Sequence, residues 1–295
     1  MEQKKHLLAP GHTACAGCGL SMGARMVIDA AGPNTIVTNC TGCLEVFTTR
    51  YPQSAWEVPW IHSLFENSSA IAAGVEAALV ALNRTGEAKV IAQGGDGGTA
   101  DIGLQSLSGM FERGHDVLYI CYDNEAYMNT GIQRSSQTPT WSNTTTSPTG
   151  KVSYGNPTRK KDMFKIAVAH DVAYAATATV GWDMDLKKKV QKALSIKGPK
   201  YLHVLVPCPL GWRVENKMTI KVSKKAVSTG LFPLLEYENG KITATRKITP
   251  EPVLEYLKMQ GRFKHLMGDS PEAKAKLAEI QKIADENIAR YELKA

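Results

Sequence analysis

Gly94-Gly95-Asp96-Gly97-Gly98 and, further on, Tyr122-Asp123-Asn124-Glu125-Ala126-Tyr127-Met128-Asn129 decide the reading of this chain. The apolar run Lys89-Val90-Ile91-Ala92 leads into the glycines, and a helix-like segment from Asp101 to Arg113 leaves them. A second apolar run, Val117-Leu118-Tyr119-Ile120-Cys121, delivers the Asp/Asn-rich loop. This is how an α/β sheet builds a diphosphate–metal site at the carboxyl ends of its strands. Glycines let backbone N–H groups approach phosphates, and the helix N-terminus that follows adds positive partial charge. Asp96 and Asn124, 28 residues apart, offer the hard oxygen ligands that suit Mg²⁺. A plain tight turn needs one or two glycines, not four around a carboxylate.

Outward from that stretch, helical and strand-like segments alternate. Residues 20–31 and 68–82 read as helices, and 35–38 and 88–92 as strands. Helix 101–113, strand 117–121, helix 160–170, strand 172–178, helix 183–196 and strand 201–206 continue the order. Such alternation predicts an α/β fold, a doubly wound, mostly parallel sheet with helices on both faces. The long polar loop 129–158 starts at the phosphate site and is expected to fold over a cofactor. After 212 the texture changes: a hairpin turning at Asn239-Gly240, then charged helices over 250–259 and 271–292. Residues 1–212 thus form the main domain. Residues 213–295, thin in apolar side chains, form a C-terminal extension expected to pack on that domain or dock a neighbouring subunit.

With 43% hydrophobic and 21% charged residues, the 295-residue chain is ordinary for a soluble protein. No apolar run approaches the roughly 20 residues of a membrane span. The start, Met1 to His6, has no apolar signal core behind it, so the expected location is cytoplasmic, with no membrane partner. The net charge is +7, yet Arg159–Lys161 and Lys187–Lys189 read as solvated faces with no interleaved aromatics. Nucleic acid is therefore not an expected partner, and an acidic protein surface fits the charge better.

Six cysteines occur, at 15, 18, 40, 43, 121 and 208. Cys15/Cys18 and Cys40/Cys43 have C-x-x-C spacing, which points to metal or redox chemistry in an intracellular chain. Four thiolates so spaced suit either zinc or an iron–sulfur cluster, and spacing does not choose between them. The spacing alone favours Cys40 over Cys208 as fourth ligand. Cys208, flanked by Pro207 and Pro209, follows a strand at the same sheet end as the diphosphate loop, and Cys121 reads as a core residue.

From Gly11 to Arg213 the chain resembles the beta subunits of pyruvate:ferredoxin oxidoreductases (pyruvate synthases), which are thiamine-diphosphate-dependent 2-oxoacid:ferredoxin oxidoreductases. The resemblance is carried by HTACAGCG (12–19), TGCLEVF (41–47), WIHSLFEN (60–67), GGDGGTADIG (94–103), YDNEAYMNTGIQRSS (122–136) and PCPLGW (207–212). It implies a thiamine-diphosphate-binding fold, with one [4Fe–4S] cluster on Cys15, Cys18, Cys43 and Cys208. Cys40 then becomes a neighbour of the cluster, where the family carries a small non-ligating residue. The resemblance further implies Mg²⁺ on Asp96, the Asn124 side chain and the Ala126 carbonyl. Gly95, Gly97, Gly98 and Thr130 join these around the cofactor, and Asn129 lies by the diphosphate and the reacting substrate. The implied reaction is decarboxylation of a 2-oxo acid, with electrons leaving through the cluster to ferredoxin and coenzyme A taking the acyl group. Alpha-, gamma- and delta-type subunits would complete the complex. The glutamate that activates the thiamine lies on the alpha subunit in this family, so this chain alone is expected to be inactive.

Within that reading the substrate is pyruvate, with other 2-oxo acids or oxalate as alternatives. Two further classes compete: a non-oxidative thiamine decarboxylase, which has no need of the thiolates, and a zinc-ribbon binding module, which leaves the GGDGG loop unexplained. His12 and His62 are read as hydrogen-bonded structural residues, and Trp56, Trp60 and Phe65 as core. Arg134 is a candidate for a phosphate or carboxylate contact, and Trp141-Ser142-Asn143 for a substrate contact.

Overall fold

A computed structural model describes residues 6–295. Met1–Lys5, most of the stretch read for a signal core, lie outside the described residues. In chain order the elements are α1 (Gly19–Ala31), β1 (Thr35–Cys40), α2 (Cys43–Thr48), β2 (Trp60–Ser63), α3 (Ser68–Ala81), β3 (Lys89–Gly95), α4 (Leu104–Glu112) and β4 (Val117–Asp123). Then follow α5 (Met163–Val168), β5 (Tyr174–Thr179), α6 (Asp183–Ser195), β6 (Lys200–Leu205), α7 (Pro209–Trp212), α8 (Thr219–Ser228), β7 (Leu235–Glu238), β8 (Lys241–Ala244), α9 (Leu254–Leu257) and α10 (Pro271–Arg290). They form one eight-stranded sheet, ordered β2-β1-β3-β4-β6-β5-β7-β8. The first six strands are mutually parallel, and the β7–β8 hairpin adds on antiparallel to β5. No helix among the described residues is long and apolar enough to cross a membrane.

Alternation along β4 shows why its sequence is apolar throughout. Leu118, Ile120 and Tyr122 join one core with α1 and α6, while Val117, Tyr119 and Cys121 join the other with α4 and α5. A strand covered by helices on both faces has no polar side to show. In α6, Leu186, Val190 and Ala193 are buried at helical spacing, with Asp183 and Asp185 in the first turn and Lys192 in the last, complementing the helix dipole.

Several expectations shift. The helix expected from 101 begins at Leu104, because Gly97–Asp101 forms a wider π turn. The helix expected from 160 starts at Met163, capped by Asp162, which accepts from the Lys165 N–H. Pro250 and Pro252 confine the helix expected over 250–259 to the single turn of α9. The short edge strand β2 and the helices α2 and α8 were not anticipated. Residues after 212 supply Val222, Tyr256, Phe263 and Ile280 to a core around Trp212 and Leu205, so the segment packs on the main domain. Two lysines read as solvated are otherwise placed. Lys189 is 1% exposed, with its ammonium donating to the Thr177 carbonyl, Asp185 and Thr245, and Lys160 turns inward to carboxylates described below.

Candidate functional site

Because β1 connects outward to β2 while β3 connects the opposite way to β4, the strand order reverses between β1 and β3. Ligands of open α/β sheets bind in the crevice outside the carboxyl ends of strands at such a point. A cavity of about 300 Å³ lies there, lined by Asn39–Leu44 at the end of β1, Gly94–Gly98 at the end of β3 and Asn124, Ala126–Thr130 after β4. All eight residues expected around the cofactor line it: Gly95, Asp96, Gly97, Gly98, Asn124, Ala126, Asn129 and Thr130. Asn129 and Thr130 are exposed, with the Thr130 hydroxyl donating to Gln133 Oε1 at 2.6 Å. Phe65, read from sequence as core, is half-buried and lines the same cavity, opposite Tyr127 at 5.9 Å between ring centroids.

Three groups converge in the cavity floor. The Asn124 terminal amide stands 3.0 Å from Asp96 Oδ1 and 2.8 Å from the Ala126 carbonyl oxygen. With its nitrogen inward it donates to both; with its oxygen inward, three oxygens face one point, which is a hard-cation donor set. Trp212 Nε1 fixes the Asn124 carbonyl from behind at 2.8 Å. Asp96 Oδ2 accepts from Ser135 Oγ at 2.5 Å, which ties the 129–158 loop to the floor. Burial first, and then the charge of Asp123, hold the Asp96 carboxyl well above the usual carboxylate range. A divalent cation would reverse that.

Behind the loop lies an ion network that sequence reading missed. Asp123 Oδ2 accepts from Lys160 Nζ at 2.5 Å and meets His203 Nε2 at 2.9 Å. Lys160 also reaches Glu125 Oε1 at 2.8 Å, and Arg262 Nη2 reaches Glu125 Oε2 at 2.5 Å. Burial would raise the Asp123 carboxyl, but Lys160 and His203 outweigh it and hold the group below its ordinary value.

The cysteines divide. Gly17 adopts φ +72, and a Cβ at Gly19 would lie 2.7 Å from the Pro207 carbonyl oxygen, so the Cys15–Cys18 loop can press against the strand end that carries Cys208. Cys43 opens α2, while Cys18 and Cys208 precede α1 and α7. The Cys43 thiol is pushed up to about 12, first by burial and then by Cys208, Cys18 and Cys15. Burial, and after it Cys18 and Cys15, raise Cys208. Among the described residues no three His, Cys, Asp or Glu side chains close on a single ion. Cys40 belongs elsewhere: it is 2% exposed, with Sγ 3.1 Å from Ser68 Oγ. Cys121 is in the core.

Of the remaining candidates, His62 Nε2 meets Thr41 Oγ1 at 2.9 Å and stacks on Trp60, and the His12 ring packs beside Phe47. Trp56 is in the core and Trp60 half-buried. Arg134 donates to Asn156 and Thr158. Trp141 turns away from the cavity: its Nε1 donates to Glu279 of α10 at 2.7 Å, and Lys276 covers its ring.

Comparison with known proteins supplies the family. Residues 40–204 match the C-terminal TPP-binding domain of thiamine pyrophosphate enzymes. The chain is 54% identical over 293 residues to pyruvate synthase subunit PorB of Methanosarcina barkeri, covering 98% of each protein. It is 47% identical to PorB of Thermotoga maritima, covering 98% of this chain and 92% of that protein. It is also 48% identical to the ketoisovalerate oxidoreductase subunit VorB of Pyrococcus abyssi, covering 87% and 85%. The fold is shared with a 2-oxoglutarate:ferredoxin oxidoreductase from Magnetococcus marinus, at a TM-score of 0.57 and 23% identity, over 71% of this chain and 69% of that one. The chain belongs to the thiamine pyrophosphate enzymes and, among them, to the pyruvate synthase PorB family of 2-oxoacid:ferredoxin oxidoreductase beta subunits.

Proposed function

We propose that this chain is the beta subunit of a pyruvate:ferredoxin oxidoreductase that holds thiamine diphosphate and Mg²⁺ at the β1/β3 crevice and one [4Fe–4S] cluster on Cys15, Cys18, Cys43 and Cys208. One observation carries the reading: the two sites share a wall. Cys43 senses the charges of Cys15, Cys18 and Cys208 on one side, and lines the cavity with Asp96 on the other. The residues fit the implied groups. Three oxygens face one point at Asn124, and exposed Cys15 with half-buried Cys18, Cys43 and Cys208 offers four thiols open to a cluster.

When bound, thiamine diphosphate supplies the carbanion chemistry for decarboxylating a 2-oxo acid, and a [4Fe–4S] cluster takes electrons singly. The chain's own residues bind and orient. Asp96, Asn124 and the Ala126 carbonyl hold the cation. Gly95, Gly97 and Gly98 admit the diphosphate to their backbone. Phe65, Tyr127 and Met128 exclude water from the crevice. Asn129, exposed at its mouth, is placed to contact the substrate as the catalytic residue, with Thr130 beside it. Coenzyme A is the acyl acceptor and ferredoxin the electron acceptor. Alpha-, gamma- and delta-type subunits complete the complex in the cytoplasm. The charged outer face of α10, with Glu272, Lys274, Lys282 and Asp285, is the proposed docking surface of the 213–295 segment.

The names of the Methanosarcina and Thermotoga relatives support pyruvate as substrate, and that of the Pyrococcus abyssi relative supports a branched 2-oxo acid as the second reading. Electron paramagnetic resonance of the anaerobically purified complex tests both. A substrate-derived radical and a reduced cluster signal after pyruvate, changing on addition of coenzyme A, is the expected result. The same signals with 3-methyl-2-oxobutanoate, 2-oxoglutarate or oxalate but not pyruvate would move the substrate. One zinc per chain and no iron signal would overturn the cluster in favour of a zinc-ribbon module.

A further inference from the structure

A second cavity, of about 360 Å³, lies on the opposite side of the metal loop, between the sheet and the segment after 212. It shares no lining residue with the cofactor cavity: Glu125 faces it, whereas Asn124 and Ala126 line the other. Apolar side chains wall it, among them Phe164, Leu205, Phe232 and Ile280. Arg159, Lys161, Asp162, Lys165, Glu286 and Arg290 stand in solvent at its rim; its buried polar groups are few, and they are incompletely satisfied. Gln137 is fully buried; its Nε2 donates to the Lys161 carbonyl at 2.8 Å, but its Oε1 accepts from nothing. Lys160 gives two of its three protons to Asp123 and Glu125, which leaves one to offer. Each oxygen of Glu125 takes one cation, from Lys160 and Arg262, and keeps a lone pair.

The floor thus presents one spare donor beside spare acceptors, and the buried ion network it belongs to is balanced, Asp123 and Glu125 against Lys160 and Arg262, while the excess positive charge of the lining sits at the solvated rim. A singly charged ligand would unbalance buried ions, and a zwitterion would not. We propose that this cavity binds an apolar α-amino acid of about the size of phenylalanine. Its carboxylate meets Lys160, its ammonium meets Gln137 Oε1 and Glu125, and its side chain lies among Phe164, Leu205 and Phe232. A volume above 300 Å³ with apolar walls and a few convergent polar groups is the usual form of a small-molecule site. The site has a lever on the catalytic centre. Glu125 sits at φ +70 between the two residues that face the cation position, so a ligand that draws on Glu125 or Lys160 acts directly on the metal loop. Only this consequence rests on the proposed function; binding itself does not.

Calorimetric titration of the purified complex tests the site. The probes are L-phenylalanine, 3-phenylpropionate, which lacks the ammonium, and 2-phenylethylamine, which lacks the carboxylate. The expected result is one phenylalanine per beta chain, with both analogues at least about tenfold weaker, the loss of one charged hydrogen bond. Ile283→Trp, which fills the cavity from α10 far from the reacting groups, is expected to weaken phenylalanine at least about tenfold and leave pyruvate turnover unchanged. Gln137→Met, of similar shape without the amide oxygen, is expected to weaken it comparably. Phenylpropionate binding as tightly as phenylalanine would overturn the zwitterion assignment. Equal binding by the Ile283→Trp complex, or no heat from any probe at millimolar concentration, would overturn the site. Phenylalanine binding in a complex that fails to oxidise pyruvate would leave this inference standing and refute the proposed substrate alone.

Discussion

Replacing Cys40 and Cys208 by alanine, one at a time, separates the two assignments that the cysteine spacing allows. Cys40 is 2% exposed, packs under Gly94 and Gly98, and has Ser68 Oγ at 3.1 Å. Deleting its sulfur removes one buried heavy atom and leaves a void of that size, worth about 1–2 kcal/mol from transfer and cavity costs together. For a chain of this size that lowers Tm by about 2–6 °C. Cys208 is half-buried, with its Sγ accepting from the Gly211 N–H at 3.3 Å, so its packing loss is smaller. Its chemical loss is larger, because a cluster on four thiolates keeps only three. Iron and acid-labile sulfide, counted per beta chain in anaerobically purified complex, are the assay. Cys40→Ala is expected to keep the wild-type content with a modest drop in Tm. Cys208→Ala is expected to lose about four irons per chain with little change in Tm before the cluster is considered. Iron lost from Cys40→Ala and kept in Cys208→Ala would refute the division of the cysteines and restore the assignment by spacing.

Three further outcomes are expected. The raised pKa of Asp96 means that the metal-free fold binds more protons than the unfolded chain, so its contribution is full below the unfolded value and is lost as pH rises through the folded one. Mg²⁺ needs the carboxylate, so its stabilisation should grow with pH over that window; a Mg²⁺-induced Tm shift independent of pH would contradict the site. A Cβ on Gly97 would fall 2.2 Å from the Tyr127 ring, whose hydroxyl is tied to Asp101 at 2.8 Å, so Gly97→Ala should cost about 1–3 kcal/mol and weaken thiamine diphosphate binding. Denaturation midpoints and cofactor titration check it, and unchanged values would show that the ring is free to move. Lys160→Met leaves Asp123 and Glu125, with side chains 0% and 6% exposed, short of a cation, at a cost of about 3–5 kcal/mol in urea unfolding. A loss below about 1 kcal/mol would place that network in solvent.

The parallel strands and the cofactor loop were legible because their signals are local. Apolar runs ending in glycine or Asp/Asn clusters fix both the strand and its polar end, and residues 94–98 and 124–130 do converge. What failed depended on partners distant in sequence. Lys160 and Lys189 sit in runs of basic residues that look solvated, and only Asp123 and Glu125 for one, and the Thr177 carbonyl for the other, turn them inward. Trp141 was placed with the cofactor by its loop, yet Glu279, 138 residues away, holds it. The segment after 212 looked thin because it shares its core with Trp212 and Leu205 rather than owning one. Likewise, spacing has no means of seeing that the close approach at Gly19 brings the Cys15–Cys18 loop to the strand end before Cys208.

The tetrapeptide Asp123-Asn124-Glu125-Ala126 shows how one short segment serves two environments. Strand geometry sends successive side chains to opposite sides, and the alternation continues just past the end of β4. Asn124 and Ala126 therefore line the cofactor crevice, while Asp123 and Glu125 point back into Lys160, His203 and Arg262. The two sides need each other. A cation placed against Asp96 and Asn124 pulls the loop forward, and without opposing anchors a loop turning at φ +70 would follow it. The buried ion pairs at Asp123 and Glu125, with Trp212 holding the Asn124 carbonyl, fix the backbone from behind, so the front oxygens would meet the proposed metal already in place. On this argument the ion network sets the geometry of the proposed metal site more than its charge, and replacing it with apolar side chains of equal volume should preserve stability while loosening Mg²⁺ binding.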